Sequence, residues 1–159
     1  MSAGKIKGIK DLKNRLSSLK AKGKRIVFTN GCFDLLHYGH ISYLEAAKRK
    51  GDILVVAVNS DSSVRRIKGK KRPIVNEKYR IRLVAALESV DYAVIFREDT
   101  PLEVIKYLKP DVLVKGADWK EEDIVGRDFV EGYGGKVVTV KLAKGFSTTK
   151  LLEKIAKAF

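Results

Sequence analysis

The sequence has 159 residues, about one domain's worth, and its 45% apolar and 33% charged content is enough to bury a core and excludes disorder as the main state. No apolar run approaches the ~18 residues of a membrane span, no signal-peptide core follows the Lys-rich start, and a single cysteine, Cys32, excludes an intrachain disulfide or multi-cysteine metal cluster. The expected location is the cytoplasm. The net charge of +14 sits in two blocks, residues 1–25 and 62–82, each holding nine Lys/Arg against one acid, while the remainder sums to −2. A block of this kind is ordinarily a solvated face or tail and less often an anion site.

Along the chain, Leu12, Leu16 and Leu19 recur at helical spacing between lysines, so residues 1–23 are predicted to be an amphipathic helix closed by Gly23, ahead of a main domain over 24–159. Five β-rich runs follow: Ile26–Asn30, Ile53–Asn59, Tyr92–Phe96, Val112–Lys115 and Val137–Leu142. Segments of helical period separate them. That alternation predicts an α/β fold, a doubly wound five-stranded parallel sheet in a single domain. Thr100-Pro101-Leu102-Glu103 reads as a capping box with Pro at the first helical position, and this helix is expected to stop at Pro110. Ligands of open parallel sheets sit beyond the carboxyl ends of the strands, so the residues after each run are the candidates for function.

After the first run comes Thr29-Asn30-Gly31-Cys32-Phe33-Asp34-Leu35-Leu36-His37-Tyr38-Gly39-His40, which holds both histidines of the chain. A zinc site would need further His or Cys ligands that the sequence lacks, so no metal ligand set is predicted. Two readings stay open: packed, inert histidines, or a phosphate clamp. In the clamp, Gly31 and Gly39 let backbone approach a ligand, the next helix aims its free N–H groups at an anion, and two imidazoles donate to a polyphosphate.

Phe33-Asp34-Leu35-Leu36-His37-Tyr38-Gly39-His40 resembles the His-x-Gly-His signature of the nucleotidyltransferase superfamily, and Gly145-Phe146-Ser147-Thr148-Thr149-Lys150 resembles its Ser-Thr-Thr segment, about 105 residues later. Within that superfamily, Asn30-Gly31-Cys32-Phe33-Asp34, the stretch Asn59–Gly69, Val90-Asp91-Tyr92, Glu98-Asp99-Thr100-Pro101 and Pro110–Gly116 are similar to the D-glycero-β-D-manno-heptose 1-phosphate adenylyltransferases. Ala117-Asp118-Trp119 departs from that branch, which more usually has Gly-Asp-Tyr; glycerol-3-phosphate cytidylyltransferases carry an Asp-Trp there.

The resemblance implies a Rossmann-like sheet, commonly in a homodimer, that binds ATP with Mg²⁺ held mainly by the triphosphate. It implies transfer of AMP to a sugar 1-phosphate, giving ADP-heptose and pyrophosphate, with any kinase of the pathway on a separate chain. An anionic phosphate oxygen needs no general base, so catalysis is expected from positioning and from cations aimed at the transition state. His37 and His40 are the first candidates for contacts around the α-phosphate. Lys68 and Arg72, on the loop after the second strand, and Arg80, opening the next helix, are candidates to neutralise phosphates, Lys68 with a catalytic part. Ser147, Thr148 and Thr149 are candidates for the β- and γ-phosphates, or a plain helix cap. Asn30, Gly31, Cys32, Phe33, Gly116 and Phe146 are expected around the nucleotide, and Asp118 and Trp119 towards the nucleoside, with Trp119 equally readable as a packed aromatic. Asp34 is read either as a sugar-hydroxyl ligand or as a local turn cap.

Two rival classes share part of the pattern. A dinucleotide-binding oxidoreductase would show Gly-x-Gly-x-x-Gly after the first strand, and none is present. A nucleic-acid binder shares the charge, but residues 62–82 offer only Tyr79 for stacking, so no nucleic-acid partner is expected.

Overall fold

A computed structural model describes residues 1–158. Five strands, β1 (Ile26–Gly31), β2 (Ile53–Asn59), β3 (Tyr92–Phe96), β4 (Val112–Gly116) and β5 (Lys136–Val140), form one sheet in the order β3-β2-β1-β4-β5, every pair parallel. Parallel strands need crossovers, and helices supply them: α2 (Tyr38–Lys48), α3 (Asp61–Lys68) with α4 (Glu77–Ala86), α5 (Leu102–Leu108), and α6 (Arg127–Gly132). Helix α1 (Ile9–Ala21) precedes β1, and α7 (Thr148–Ala158) follows β5.

The side-chain period of two divides the core. Val27, Leu54, Val56, Val58, Val112 and Val114 face one layer with Leu44, Ala47, Ile81 and Val84 of α2 and α4. Ile26, Phe28, Val55, Ala57 and Leu113 face the other, with Leu12 and Leu16 of α1 and Val104, Ile105 and Leu108 of α5. Leu12 and Leu16 are fully buried, so the first basic block coats the outer side of a helix that belongs to the core. Ile6 extends the sheet by a parallel bridge to Ala93.

Two local expectations change, the capping box and the loop placement of Lys68, while the stop at Pro110 holds. Pro101 is the N-cap of α5 and makes no side-chain capping bond, so the predicted capping box does not form: the helix begins one residue late and leaves the Thr100 hydroxyl outside it. At the other end α5 stops at Leu108, and Lys109 takes a left-handed conformation (φ 49°) before Pro110. Lys68 is the last residue of a helix, not of a loop, because Ser60 caps α3 by accepting from the Ser63 N–H at 3.2 Å.

Asp52, Asp91 and Asp111, just before β2, β3 and β4, accept the backbone N–H groups of Arg25, Leu54 and Ile26 at 2.6–2.8 Å. Carboxylates therefore fasten the amino ends of the strands, and Lys68, Arg72 and Lys115 gather around the cavity at the carboxyl ends.

Candidate active site

Strand β1 pairs with β2 over six residues but with β4 only at Val27↔Val112 and Phe28↔Leu113. Beyond those pairs a crevice opens at the point where strand order reverses, the place where doubly wound sheets hold ligands. Its floor is polar: the Thr29 and Tyr43 hydroxyls are 2.7 Å apart, and Tyr43 donates to the Val114 carbonyl at 3.2 Å. A cavity of about 560 Å³ rises from it. A second depression of equal volume, lined by Lys7, Asp11, Arg15 and Tyr92 beside α1, has no residue of the His-x-Gly-His or Ser-Thr-Thr signature.

The two signatures meet in this cavity. His37 is the N-cap of α2, in extended conformation, and His40 lies in the first turn. Their rings stack at 3.9 Å between centroids, with Phe33 edge-on to His40 at 5.3 Å and Phe146 stacked over His37 at 6.4 Å. Phe33 reaches this position through a positive φ of 47° and is itself buried. Gly39 permits this close packing, because a Cβ there would lie 3.0 Å from both the His37 ring and the Phe146 Cβ and would press them apart. Ser147, Thr148 and Thr149 line the same cavity at the head of α7, where the Ser147 hydroxyl accepts from the Lys150 N–H at 3.1 Å.

Both histidine Nδ1 atoms are buried without a partner, which leaves each Nε2 as the nitrogen a ligand can reach. Burial lowers the pKa of both rings; for His40 burial and the neighbouring His37 together bring it to about 4. Both imidazoles are thus neutral at pH 7 in the free protein. A polyanion at Nε2 would favour their charged form.

The second basic block divides in three. Lys68 and Arg72 line the cavity, Lys68 exposed and Arg72 only partly so. Arg66 points elsewhere, to Asp99 at 2.6 Å and the Arg97 carbonyl. Arg80 departs from expectation. It is fully buried and spends its guanidinium on the Val75 carbonyl (2.8 Å), the Cys32 carbonyl (2.5 Å) and Asp61 (2.8 Å). It lies outside the cavity lining and braces the β1–α2 turn against α3 and α4, so its buried guanidinium does not face a phosphate in the cavity.

Asp34 also differs from a sugar ligand. It is buried, and its carboxylate accepts the Ile74 N–H (2.8 Å), the Val75 N–H (2.9 Å) and the Arg72 Nε (2.6 Å). Burial pushes its pKa up, but the Val75, Ile74 and Arg72 bonds together outweigh it and hold the carboxyl below its usual value. Asp34 fastens the 72–75 segment to the β1–α2 turn, which is a longer-range lock than a turn cap. Burial raises the Cys32 thiol, so it stays protonated and contributes lining rather than a nucleophile.

Asn30, Gly31, Gly116 and Asp118 line the cavity too, and Gly116 leaves room for the Asp118 carboxylate, which a Cβ would strike. Trp119 is about half exposed, so it is no core aromatic; it stands 5.8 Å from the Lys115 amine. Lys115, which the sequence places in the Pro110–Gly116 resemblance without a role, belongs to the site as well. It is buried at the end of β4, donates to Asn30 Oδ1 and lines the cavity. Its signal in the sequence, besides that resemblance, is a lysine directly after the apolar run Val112-Leu113-Val114.

Comparison with known proteins agrees with this geometry. Residues 28–154 match the family model described as cytidylyltransferase-like. The chain is 54% identical over 158 residues to the bifunctional protein HldE of Geobacter metallireducens, covering 99% of this chain and 32% of that protein. It is 59% identical over 136 residues to the HldE of Gluconobacter oxydans, covering 86% of this chain and 28% of that one. The chain therefore spans about a third of the length of these curated relatives. The crystal structure of a lipopolysaccharide core biosynthesis protein from Thermoplasma volcanium superposes with a TM-score of 0.64 at 33% identity, over 78% of this chain and all of that one. With both signatures in one cavity and the family pattern covering most of its length, the chain belongs to the cytidylyltransferase-like family and is a nucleotidyltransferase.

Proposed function

We propose that this chain transfers AMP from ATP to D-glycero-β-D-manno-heptose 1-phosphate, releasing ADP-heptose and pyrophosphate by direct in-line attack. The observation that carries this reading is the convergence of His37, His40 and the head of α7 on one cavity edged by Lys68 and Arg72. A sugar phosphate oxygen attacks the α-phosphorus, and the bond from that phosphorus to the α,β-bridging oxygen breaks. Negative charge moves onto pyrophosphate. His37 and His40 donate from Nε2 around the α-phosphate, the Thr148 and Thr149 hydroxyls hold the β- and γ-phosphates, and Lys68 and Arg72 offset the charge of the two reacting anions.

Magnesium ion fits this donor set as a partner of the triphosphate. Among the described residues no group of three or more His, Cys, Asp or Glu could hold a metal by itself. Asp34 is occupied by its own donors and Asp99 is paired with Arg66, so Asp118 is the lining carboxylate available to a hard cation that takes most of its oxygens from phosphates and water. When bound, the ion would neutralise charge on the departing pyrophosphate.

The name of one relative, lipopolysaccharide core biosynthesis protein, supports a sugar phosphate acceptor, and the heptose rests on the resemblance of Asn30–Asp34, Asn59–Gly69 and Pro110–Gly116. Trp119 beside Asp118 favours a second reading, CTP with glycerol 3-phosphate. Pyrophosphate release over a grid of ATP and CTP against heptose 1-phosphate and glycerol 3-phosphate separates them: preference for ATP with the heptose is expected, and preference for CTP with glycerol 3-phosphate overturns the acceptor and the base together. The same reading includes a cytoplasmic homodimer, to be read from sedimentation of the purified chain. No helix among the described residues is long and apolar enough to cross a membrane.

A further inference from the structure

Lys115 presents a physical problem that the family motifs do not address. Its amine sits at the crevice between β1 and β4, and the residue is 8% exposed. An ammonium has three donors. The side chain bonds to one acceptor, Asn30 Oδ1, and the Trp119 ring stands 5.8 Å away. Burial alone lowers its pKa, to about 8, and no carboxylate offsets that cost. A methionine or leucine would fill the same space without the penalty of burying a charge. A buried cation with free donors and no counter-ion, opening onto a cavity already edged by phosphate-binding groups, is suited to an anion that arrives with the substrate.

We propose that Lys115 is a substrate-binding cation of this site, whose ammonium takes a phosphate oxygen as its missing counter-ion while Asn30 holds it in place. This deepens the nucleotidyl-transfer reading and rests on it. The phosphate belongs either to the nucleoside triphosphate or to the sugar 1-phosphate. The amine lies between the two walls of the cavity: Asn30 leads directly into the Gly31–Phe33 turn, whose Phe33 ring meets His40, and Gly116–Trp119 follows Lys115 on the other side. Asn30 is a positioning residue in this arrangement. Lys115 is the contact.

The test compares charged ligands with their uncharged counterparts in the full chain. Binding of ATP and adenosine, and of heptose 1-phosphate and free heptose, is measured by ligand-detected NMR and calorimetry for wild type and Lys115→Met. Lys115→Gln, which keeps a donor for Asn30 without the charge, serves as the second variant if methionine disturbs packing. The expected result is a loss of at least tenfold in affinity for one phosphate-bearing ligand, with the uncharged partner bound as in wild type. Loss confined to ATP assigns the triphosphate, and loss confined to heptose 1-phosphate assigns the acceptor. Unchanged binding of both phosphates, or an equal loss for charged and uncharged ligands, overturns the proposal in favour of a structural lysine. If wild type binds ATP but never releases pyrophosphate with heptose 1-phosphate, the acceptor assignment fails while the ATP arm still decides the role of Lys115.

Discussion

Replacing Lys115 by methionine should make the free protein more stable at neutral pH and cost it ligand binding. A fall in pKa from 10.5 to about 8 corresponds to roughly 3 kcal/mol of folding free energy lost at pH 7, at ~1.4 kcal/mol per pH unit. The variant recovers that term. It also gives up the bond to Asn30, which leaves Oδ1 without its partner and costs about 1–1.5 kcal/mol. The net gain is about 1–2 kcal/mol, or roughly 3–6 °C in Tm for a domain of this size. The pH dependence separates this cause from a simple packing gain. The folded chain binds fewer protons at Lys115 than the unfolded chain between about pH 8 and 10.5, so wild-type stability gains from this residue as pH rises through that window. The variant has no such term, and its advantage should shrink to about nothing by pH 10. Urea unfolding of both proteins at pH 7 and pH 10 reads the effect. A variant less stable than wild type at pH 7, or an advantage independent of pH, would refute the argument that the lysine lacks a counter-ion.

His37→Ala and His40→Ala should each fold and lose roughly 10²-fold or more in kcat/KM for pyrophosphate release; near-normal turnover in either removes that ring from the clamp. Arg80→Ala should cost about 3–5 kcal/mol of stability, since it leaves Asp61 and two carbonyls without their buried partner, whereas Lys68→Ala should keep the wild-type Tm and lose activity. Thermal melts beside kinetics on the two variants decide between a brace and a phosphate contact. Asp34→Asn should speed hydrogen exchange at the Ile74 and Val75 amides, which the carboxylate now holds; because the folded carboxyl titrates below its usual value, the stability it provides is present above about pH 4 and is lost as pH falls through its folded pKa. For His40, whose folded value near 4 lies below the ordinary 6.5, acid acts in the same direction: stability should fall from about pH 6.5 to 4 in wild type and less steeply in His40→Ala, as followed by unfolding at stepped pH.

The local sequence determined the sheet and the motif carriers. Runs such as Ile53–Asn59 are apolar on both faces, and only a strand covered by helices on two sides can bury them, so strand positions and parallel pairing followed from residues a few places apart. The histidines were legible for a similar reason: a strand end, two glycines and the following helix place His37 and His40 together whatever the rest of the chain does. Charge was different. Arg72, Arg80 and Lys115 look alike in sequence, yet one lines the cavity paired to Asp34, one is sealed beneath it on Asp61 and two carbonyls, and one is buried at its floor against Asn30. Apart from the Val75 carbonyl, their partners lie 19–85 residues away. What a charged side chain does depends on which acceptors surround it and how much water reaches it, and both are properties of the packed molecule. The tertiary structure alone decided which of these cations is a brace, which stays open to a ligand, and which is buried without a counter-charge.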